Sequence, residues 1–352
     1  MGEKSRFEHI RGIQAKYPSG ICEMVKGGEE VNEIGRKITD KLIEIHGSAD
    51  FTIAFLPYKR SMWNSMESVY EECVASGADA HCIPIPYYCK KENRQVDYTT
   101  CDFYYFGDIA EPAANLEILK PDFIAIHYQY DNNNSVTGML PEYRTDALKA
   151  KYRCNIIFLP YGVPYGGVSS RHFRIQPGIV NVDYFFLNSE AEADGFIADW
   201  AEMGIDMSDK VFGFGSAKID AVLKAGKVIP TEWQHEIGTR TTILITNSLA
   251  SYLSEPYERI MIYQHYIIEE LKQNHAVIFR PHPLLCTTIK SMRPDTMATY
   301  KEFIDKFWNM PHCIIDHSEY LERAIGVADR LISDPSSVVE LWKATGKPYK
   351  VI

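Results

Sequence analysis

The chain reads RLISDPSSVVE over residues 330–340 and AVIFRPHP over residues 276–283, and these two stretches decide the predicted fold. Each begins as a short apolar run, ends in polar residues and continues into a helix-forming segment. Buried strands that alternate with helices are typical of a parallel, doubly wound α/β sheet. In such a sheet, ligands bind just beyond the carboxyl ends of the strands.

The same alternation runs through most of the chain. Predicted strands lie at 51–56, 80–86, 122–127, 155–159, 184–187 and 211–213 in a first series, and at 241–246, 275–280, 313–315, 330–332 and 349–352 in a second. Residues 1–48 are predicted to be helical, because apolar residues recur there at spacings of three and four. Residues 89–111 are predicted to form a loop or a small hairpin.

Two series of strands predict two Rossmann-like domains. The predicted domains are 1–222, with a helical N-terminal extension, and 239–352. A linker is predicted at 223–238, because that stretch is polar and has few strand formers.

Composition excludes several classes of protein. The 352 residues are 45 % hydrophobic and 24 % charged, with a formal net charge of −10, so wholesale binding to nucleic acid or anionic lipid is not expected. The eight cysteines lack zinc-ligand spacing and are expected to be free thiols in a reducing compartment. No apolar run approaches a membrane span, and no secretory signal is recognised, so a cytoplasmic location is expected.

The two strand-end strings supply candidate phosphate-binding residues. Arg280 offers a planar, charged donor fork, and Ser336 and Ser337 offer hydroxyls at a helix start. His282 and Asp334 follow the same strands, so all five are expected near one crevice. An ordinary capped helix start and a stiff turn between prolines remain the alternative interpretation of the two strings.

Over residues 120–352, the order of motifs resembles the CDP-glycerol glycerophosphotransferase family. The matching strings are LNSE at 187–190, GFGSAKID at 213–220, RPHP at 280–283, DHSEYL at 316–321, ISDPSS at 332–337 and GKP at 346–348. The resemblance implies a GT-B fold, in which two domains face a cleft, with the acceptor side on 1–222 and the donor nucleotide on 239–352. It also implies transfer of glycerol phosphate, or a related phosphopolyol or sugar, from a CDP-activated donor to a polymer or glycan acceptor.

The resemblance also implies roles for individual residues on the donor side. Arg280 and His282 would contact the donor pyrophosphate, and Asp334 would orient its loop or hold a ribose or glycerol hydroxyl. Further donor or phosphate contacts are expected from Gly215, Ser216, Ser336 and Ser337. No cofactor or metal is demanded, because the CDP-type nucleotide is itself a substrate and helix starts can stabilise its charge.

The chain departs from the family at LPYGVPY, residues 159–165, where Tyr161 stands in place of the expected general base, a histidine. A tyrosine with its ordinary pKa near 10 is a poor base at neutral pH, so His127 or His172 is a substitute. The predicted catalytic residues are thus His127, Tyr161 and His282. Acceptor contacts are expected from Lys59, Tyr161 and Gly162.

Two other functions remain open from the sequence. A nucleotide-sugar glycosyltransferase or 2-epimerase would share the fold and the donor site. A degenerate domain would bind nucleotide without turnover. In each case the expected partner is a nucleotide-activated small molecule and not a nucleic acid. A lipid-linked acceptor would require at most peripheral contact with the inner face of a membrane.

Overall fold

The computed structural model describes residues 32–90, 95–100, 111–134 and 137–352. The chain divides into two compact units, the first formed by Met1–Val163 with Gly167–Ala221 and the second by Pro164–Gly166 with Val222–Ile352. The strands are β1 (Thr52–Phe55), β2 (Asp79–Cys82), β3 (Tyr87–Lys90), β4 (Val96–Thr100), β5 (Phe123–Ile126), β6 (Thr137–Met139), β7 (Asn155–Phe158), β8 (Tyr184–Phe186), β9 (Val211–Phe212), β10 (Thr242–Thr246), β11 (Ala276–Arg280), β12 (Cys313–Ile315), β13 (Arg330–Ser333) and β14 (Tyr349–Val351).

Helices alternate with these strands as the sequence predicts. They are α1 (Glu33–His46), α2 (Glu67–Ser76), α3 (Glu111–Leu119), α4 (Thr145–Tyr152), α5 (Arg171–Arg174), α6 (Glu190–Ala201), α7 (Ala217–Ala225), α8 (Gln234–Ile237), α9 (Leu249–Ser254), α10 (Pro256–Lys272), α11 (Leu285–Met292), α12 (Met297–Trp308), α13 (Leu321–Val327) and α14 (Ser337–Lys343). Of the predicted helix 1–48, residues 1–31 lie outside the described residues, and the rest forms α1.

The first unit contains a six-stranded sheet in the order β2-β1-β5-β7-β8-β9, with all its neighbours parallel. The chain winds from β1 outward in both directions, so the strand order reverses between β1 and β5. A separate antiparallel sheet, β4-β3-β6, contains the hairpin predicted around 89–111. Its third strand, β6, was not predicted from the sequence.

The second unit contains a five-stranded parallel sheet in the order β12-β11-β10-β13-β14. Its strand order reverses between β10 and β13, which makes the carboxyl ends of these two strands the expected place for a ligand. Apolar side chains of β10, β11 and β13 are buried on both faces, as is typical of parallel strands covered by helices. The predicted fold class, α/β with two Rossmann-like parallel sheets of the GT-B type, is confirmed.

Residues 223–238, which were predicted to be a linker, contain the end of α7, a 3-10 turn at Thr231–Trp233 and helix α8. Trp233 and Ile237 are buried in this stretch. Polar composition suggested a linker because only two large apolar side chains anchor these short helices to the second unit.

Candidate functional site

Polar side chains from neighbouring strand ends meet at the carboxyl edge of the second sheet. Asn247 and Ser248 follow β10, His282 follows β11, and Asp334 follows β13. The side chain of Asn247 accepts a hydrogen bond from the His282 backbone N–H (2.8 Å), and the Asp334 carboxylate accepts one from the Ser248 N–H (2.8 Å). These bonds join three adjacent strand ends, so the sequence-predicted grouping of His282 with Asp334 is present.

His282 is a neutral hydrogen-bond donor in this arrangement. Its Nδ1 accepts a hydrogen bond from the Leu284 N–H (3.1 Å), so the neutral ring carries its proton on Nε2. Burial, and then the charge of Arg280, lower the pKa of His282 to about 4. Near neutral pH the ring therefore has an Nε2–H to donate, and it has no free lone pair with which to act as a base.

Arg280 does not present a free guanidinium. Its Nη1 donates to Asp316 and to Ser318 Oγ (3.2 Å), and its Nη2 donates to the Ser318 carbonyl (2.7 Å). Both members of the ion pair are buried. These donors tie the end of β11 to the segment after β12, and the contact of Arg280 with a pyrophosphate stays a prediction.

Asp334 orients its loop, which was one of its two predicted roles. The carboxylate is fully buried and accepts hydrogen bonds from the Ser248 N–H, the Tyr263 hydroxyl (2.6 Å) and Arg259 Nη1 (3.1 Å). Burial raises the pKa of Asp334, and these donors oppose that change. These protein donors hold the carboxylate in place, and its contact with a ribose or glycerol hydroxyl stays a prediction.

The serine pair lies at the start of α14. Ser336 is the half-buried N-cap residue, and Ser337 is exposed. The Ser336 hydroxyl lies 3.3 Å from Ser333 Oγ, which in turn accepts from Thr246 Oγ1 (2.7 Å). The hydroxyls therefore continue a hydrogen-bonded series from β10 to the helix start. Phosphate binding by Ser336 and Ser337 stays a prediction.

The GKP string has a structural role. Lys347 Nζ donates to the carbonyl oxygens of Ile325, Gly326 and Ala328 at 3.0, 2.9 and 2.8 Å, which satisfies the free carbonyls at the end of α13. Burial lowers the pKa of Lys347. This part of the family resemblance is thus explained by helix capping and does not indicate a ligand contact.

His127 is buried at the end of β5, next to the strand-order reversal of the first sheet. Its Nε2 accepts a hydrogen bond from the Tyr58 N–H (3.2 Å), and its other nitrogen bonds to the Met62 backbone. Burial, and then the charge of Lys218, lower its pKa to about 3. The side chain is 0 % exposed, so the predicted role of His127 as general base does not fit its geometry.

The replacement of His127 by glutamine is expected to flatten the acid dependence of stability. The native imidazole stays neutral, whereas the unfolded one titrates near 6.5, so its stabilisation is complete above about pH 6.5 and is lost as pH falls toward 3. Between pH 6.5 and 5 this loss is about 2 kcal/mol in the wild type and absent in His127→Gln. Denaturant unfolding at both pH values measures it.

If the free energy of unfolding changes equally between pH 6.5 and 5 in the wild type and in His127→Gln, His127 is not a buried neutral group.

The other acceptor-side residues lie in the first unit. Tyr161 is half-buried, with its ring edge-on to His127 at 6.0 Å, and burial raises its pKa. Near neutral pH the Tyr161 hydroxyl is therefore even less deprotonated than that of an ordinary tyrosine. Lys59 follows β1 with its ammonium 5.1 Å from the centre of the Tyr87 ring. Gly162 is exposed, and its carbonyl accepts from Asn188 Nδ2 (3.1 Å). Their contacts with an acceptor stay predictions.

Gly215 and Ser216 belong to the first unit, and not to the donor-side edge with His282. Gly215 has a φ of +109°, and a Cβ there would lie 2.9 Å from Ile34, so glycine is required for helix α1 to pack. Asp220, at the end of the same string, accepts hydrogen bonds from the N–H groups of Ile34 (3.2 Å) and Gly35 (2.8 Å). Residues 213–220 thus hold the start of α1. This packing does not support the predicted phosphate binding by Gly215 and Ser216.

The sequence interpretation missed Asn247 and Ser248. They follow β10, the first strand of the second series, so the rule that ligands bind at strand ends would have found them. Among the described residues, no cluster of histidine, cysteine, aspartate and glutamate has the arrangement of a metal site. Nor does any helix in the described part of the chain have the length and apolar character needed to cross a membrane.

No protein-family model and no curated protein matches the chain. Solved structures do match. The UDP-GlcNAc 2-epimerase of Methanocaldococcus jannaschii, in complex with UDP-GlcNAc and UDP, is 13 % identical with a TM-score of 0.53, over 85 % of this chain and 83 % of that one. A putative UDP-N-acetylglucosamine 2-epimerase from Listeria monocytogenes is 13 % identical with a TM-score of 0.54, over 86 % and 79 %.

The wall teichoic acid polymerase TagF also matches, with 12 % identity and a TM-score of 0.47, over 90 % of this chain and 74 % of that one. At such identities the likeness to the epimerases shows a shared fold, and the weaker likeness to the polymerase carries no argument. The resemblance to the glycerophosphotransferase family therefore stays a prediction.

Proposed function

We propose that this chain is an enzyme that acts on a nucleotide-activated substrate, with the diphosphate bound at the carboxyl edge of the second sheet. One observation carries the proposal: His282 offers a neutral Nε2–H beside the point where the strand order reverses. A donor fixed at that point is suited to the oxygens of a diphosphate. The Ser337 hydroxyl is exposed at the start of α14, which follows β13.

The proposed reaction is transfer of glycerol phosphate, or a related phosphopolyol or sugar, from a CDP-activated donor to a polymer or glycan. An acceptor hydroxyl attacks the phosphorus, its proton passes to a base, and CMP leaves with the electrons of the broken P–O bond. Fixed donors stabilise the charge that develops on the leaving phosphate. With His127 buried and the pKa of Tyr161 raised, exposed His172 is the candidate base to test.

Epimerisation of a UDP-sugar is the second candidate function. It is favoured by the two epimerase structures, whose TM-scores exceed 0.5. Nucleotide preference separates the two functions, since the transferase needs a cytidine donor and the epimerase a uridine one.

Calorimetric titration with CMP, CDP, UDP, CDP-glycerol and UDP-GlcNAc tests the proposal, followed by product analysis of the ligand that binds. Release of CMP in the presence of an acceptor supports the transferase, and formation of the 2-epimer supports the epimerase. Nucleotide binding without either product indicates the non-enzymatic binding domain. The absence of binding to all five ligands contradicts the proposed function.

His282→Ala is expected to weaken binding of the preferred nucleoside diphosphate about tenfold, because it removes one hydrogen bond to a charged group. Wild-type affinity should not change through a protonation of His282 between pH 5.5 and 8, because its pKa lies near 4. An exposed histidine of the same unit gives the control, since His265→Ala should bind as the wild type does. Unchanged affinity in a folded His282→Ala variant would exclude this contact.

A further inference from the structure

Only one of the two polar atoms of the Asn247 side-chain amide has a hydrogen-bond partner among the described residues. The residue follows the central strand β10 and is 3 % exposed. Its Oδ1 accepts the His282 N–H at 2.8 Å. Its Nδ2 is buried and has no hydrogen-bond partner among the described residues. A buried donor of this kind is costly, so it needs an explanation in a folded protein.

The orientation of this amide is fixed by the chain itself. Rotation of the amide by 180° would place the NH₂ group against the backbone N–H of His282, which requires an acceptor. The unused group is therefore a donor and not an acceptor. It lies in the segment that joins the end of β10 to Ser248, whose N–H is held by Asp334 of β13. Asn247 thus stands where the strand order reverses.

The cations near this edge are already paired with carboxylates. Arg280 is bound by Asp316, and Arg259 is bound by Asp334. The donor that remains nearby is the neutral Nε2–H of His282, on the residue whose backbone Asn247 holds. A ligand that approaches this point meets neutral donors, in contrast to the arginine fork that the sequence predicted.

We propose that Asn247 is a ligand-binding residue, whose Nδ2 donates to an oxygen of the diphosphate of a nucleotide-activated substrate, so that Asn247 and His282 together recognise it with neutral donors. The inference rests on the proposed function. It adds Asn247 to the residues that bind the diphosphate and assigns it the role of a hydrogen-bond donor.

Asn247→Asp tests the inference, because the aspartate keeps an oxygen for the His282 N–H and replaces the Nδ2 donor with an acceptor. Binding of UDP, CDP and inorganic pyrophosphate is measured by calorimetry on the full chain. We expect affinity for the preferred diphosphate and for pyrophosphate to fall at least tenfold. The loss should persist in 1 M KCl, where the Debye length of about 3 Å screens repulsion through space.

Two further variants complete the design. Asn247→Ser removes the donor without adding charge, should also weaken binding, and replaces the aspartate variant if that one does not fold. Asn309→Asp makes the same change at an exposed position of the same unit and should bind as the wild type does.

Three outcomes overturn the inference alone: wild-type affinity in both Asn247 variants, a loss that disappears in 1 M KCl and is absent in Asn247→Ser, or a loss for the nucleotide with unchanged pyrophosphate binding. The third outcome would place the Asn247 contact on the nucleoside part of the ligand. A wild-type protein that binds none of the three probes would overturn the proposed function, and this inference with it.

Discussion

Arg280→Met is expected to lower the free energy of unfolding by about 3–5 kcal/mol, because it leaves the Asp316 carboxylate buried without its partner. Asp316 also accepts the Ser318 N–H (2.8 Å), so the segment after β12 should loosen with the loss of Arg280. Denaturant unfolding at pH 7, followed by tryptophan fluorescence and by circular dichroism, measures the change.

The double variant Arg280→Met/Asp316→Leu is the informative control. Replacement of a whole buried ion pair by apolar side chains is often neutral, so this variant should recover most of the lost stability. It should also bind nucleotide, because neither residue is assigned a ligand contact here. A double variant that is as stable as the wild type yet binds no nucleotide would restore Arg280 as a phosphate ligand.

Asp334→Asn is expected to lower the free energy of unfolding by a similar amount, about 3–5 kcal/mol. The amide leaves Arg259 without its carboxylate. Because Ser248 and Tyr263 donate to one oxygen of Asp334 and Arg259 donates to the other, the NH₂ group of the amide meets a donor in either orientation. Because these bonds join β10, β13 and α10, the effect should extend over the whole carboxyl edge. The same unfolding experiment measures it.

Tyr263→Phe separates the contributions at this carboxylate. It removes one donor and should cost only about 1 kcal/mol, since Asp334 keeps the Ser248 N–H and Arg259. Any loss of nucleotide binding in Asp334→Asn should equal the fraction of the variant that is unfolded. Under conditions in which the variant is folded, it should bind nucleotide as the wild type does. Weakened binding in a fully folded Asp334→Asn, with unchanged stability, would instead place the carboxylate on the ligand.

The strands of the two large sheets could be predicted closely from the sequence. Apolar runs such as 276–280 form strands because a parallel strand that is covered by helices on both faces is apolar along its whole length. Strand β6, at Thr137–Met139, could not be predicted, because it pairs with β3 at a large separation and carries no hydrophobic alternation of its own.

The sequence also predicted correctly that polar residues after β11 and β13 would meet, since parallel strands end at the same edge. The sequence did not predict which of these polar side chains are paired with other residues of the protein. Arg280 and Asp334 carry charges at the predicted site, yet each forms an ion pair with a residue that is distant in the chain. Burial makes such pairing obligatory, because an isolated charge inside a protein is too costly.

By itself, the sequence thus determined the α/β class, the two series of strands and the edges at which polar residues collect, because these follow from local periodicity and chain connectivity. Only the tertiary structure decided the state of each side chain at those edges. Long-range neighbours hold His127 and His282 neutral, pair Arg280 with Asp316, and leave Asn247 Nδ2 without a partner in the part of the chain that the structure describes. Desolvation and pairing depend on what packs around a group, and that is set by residues distant in the chain.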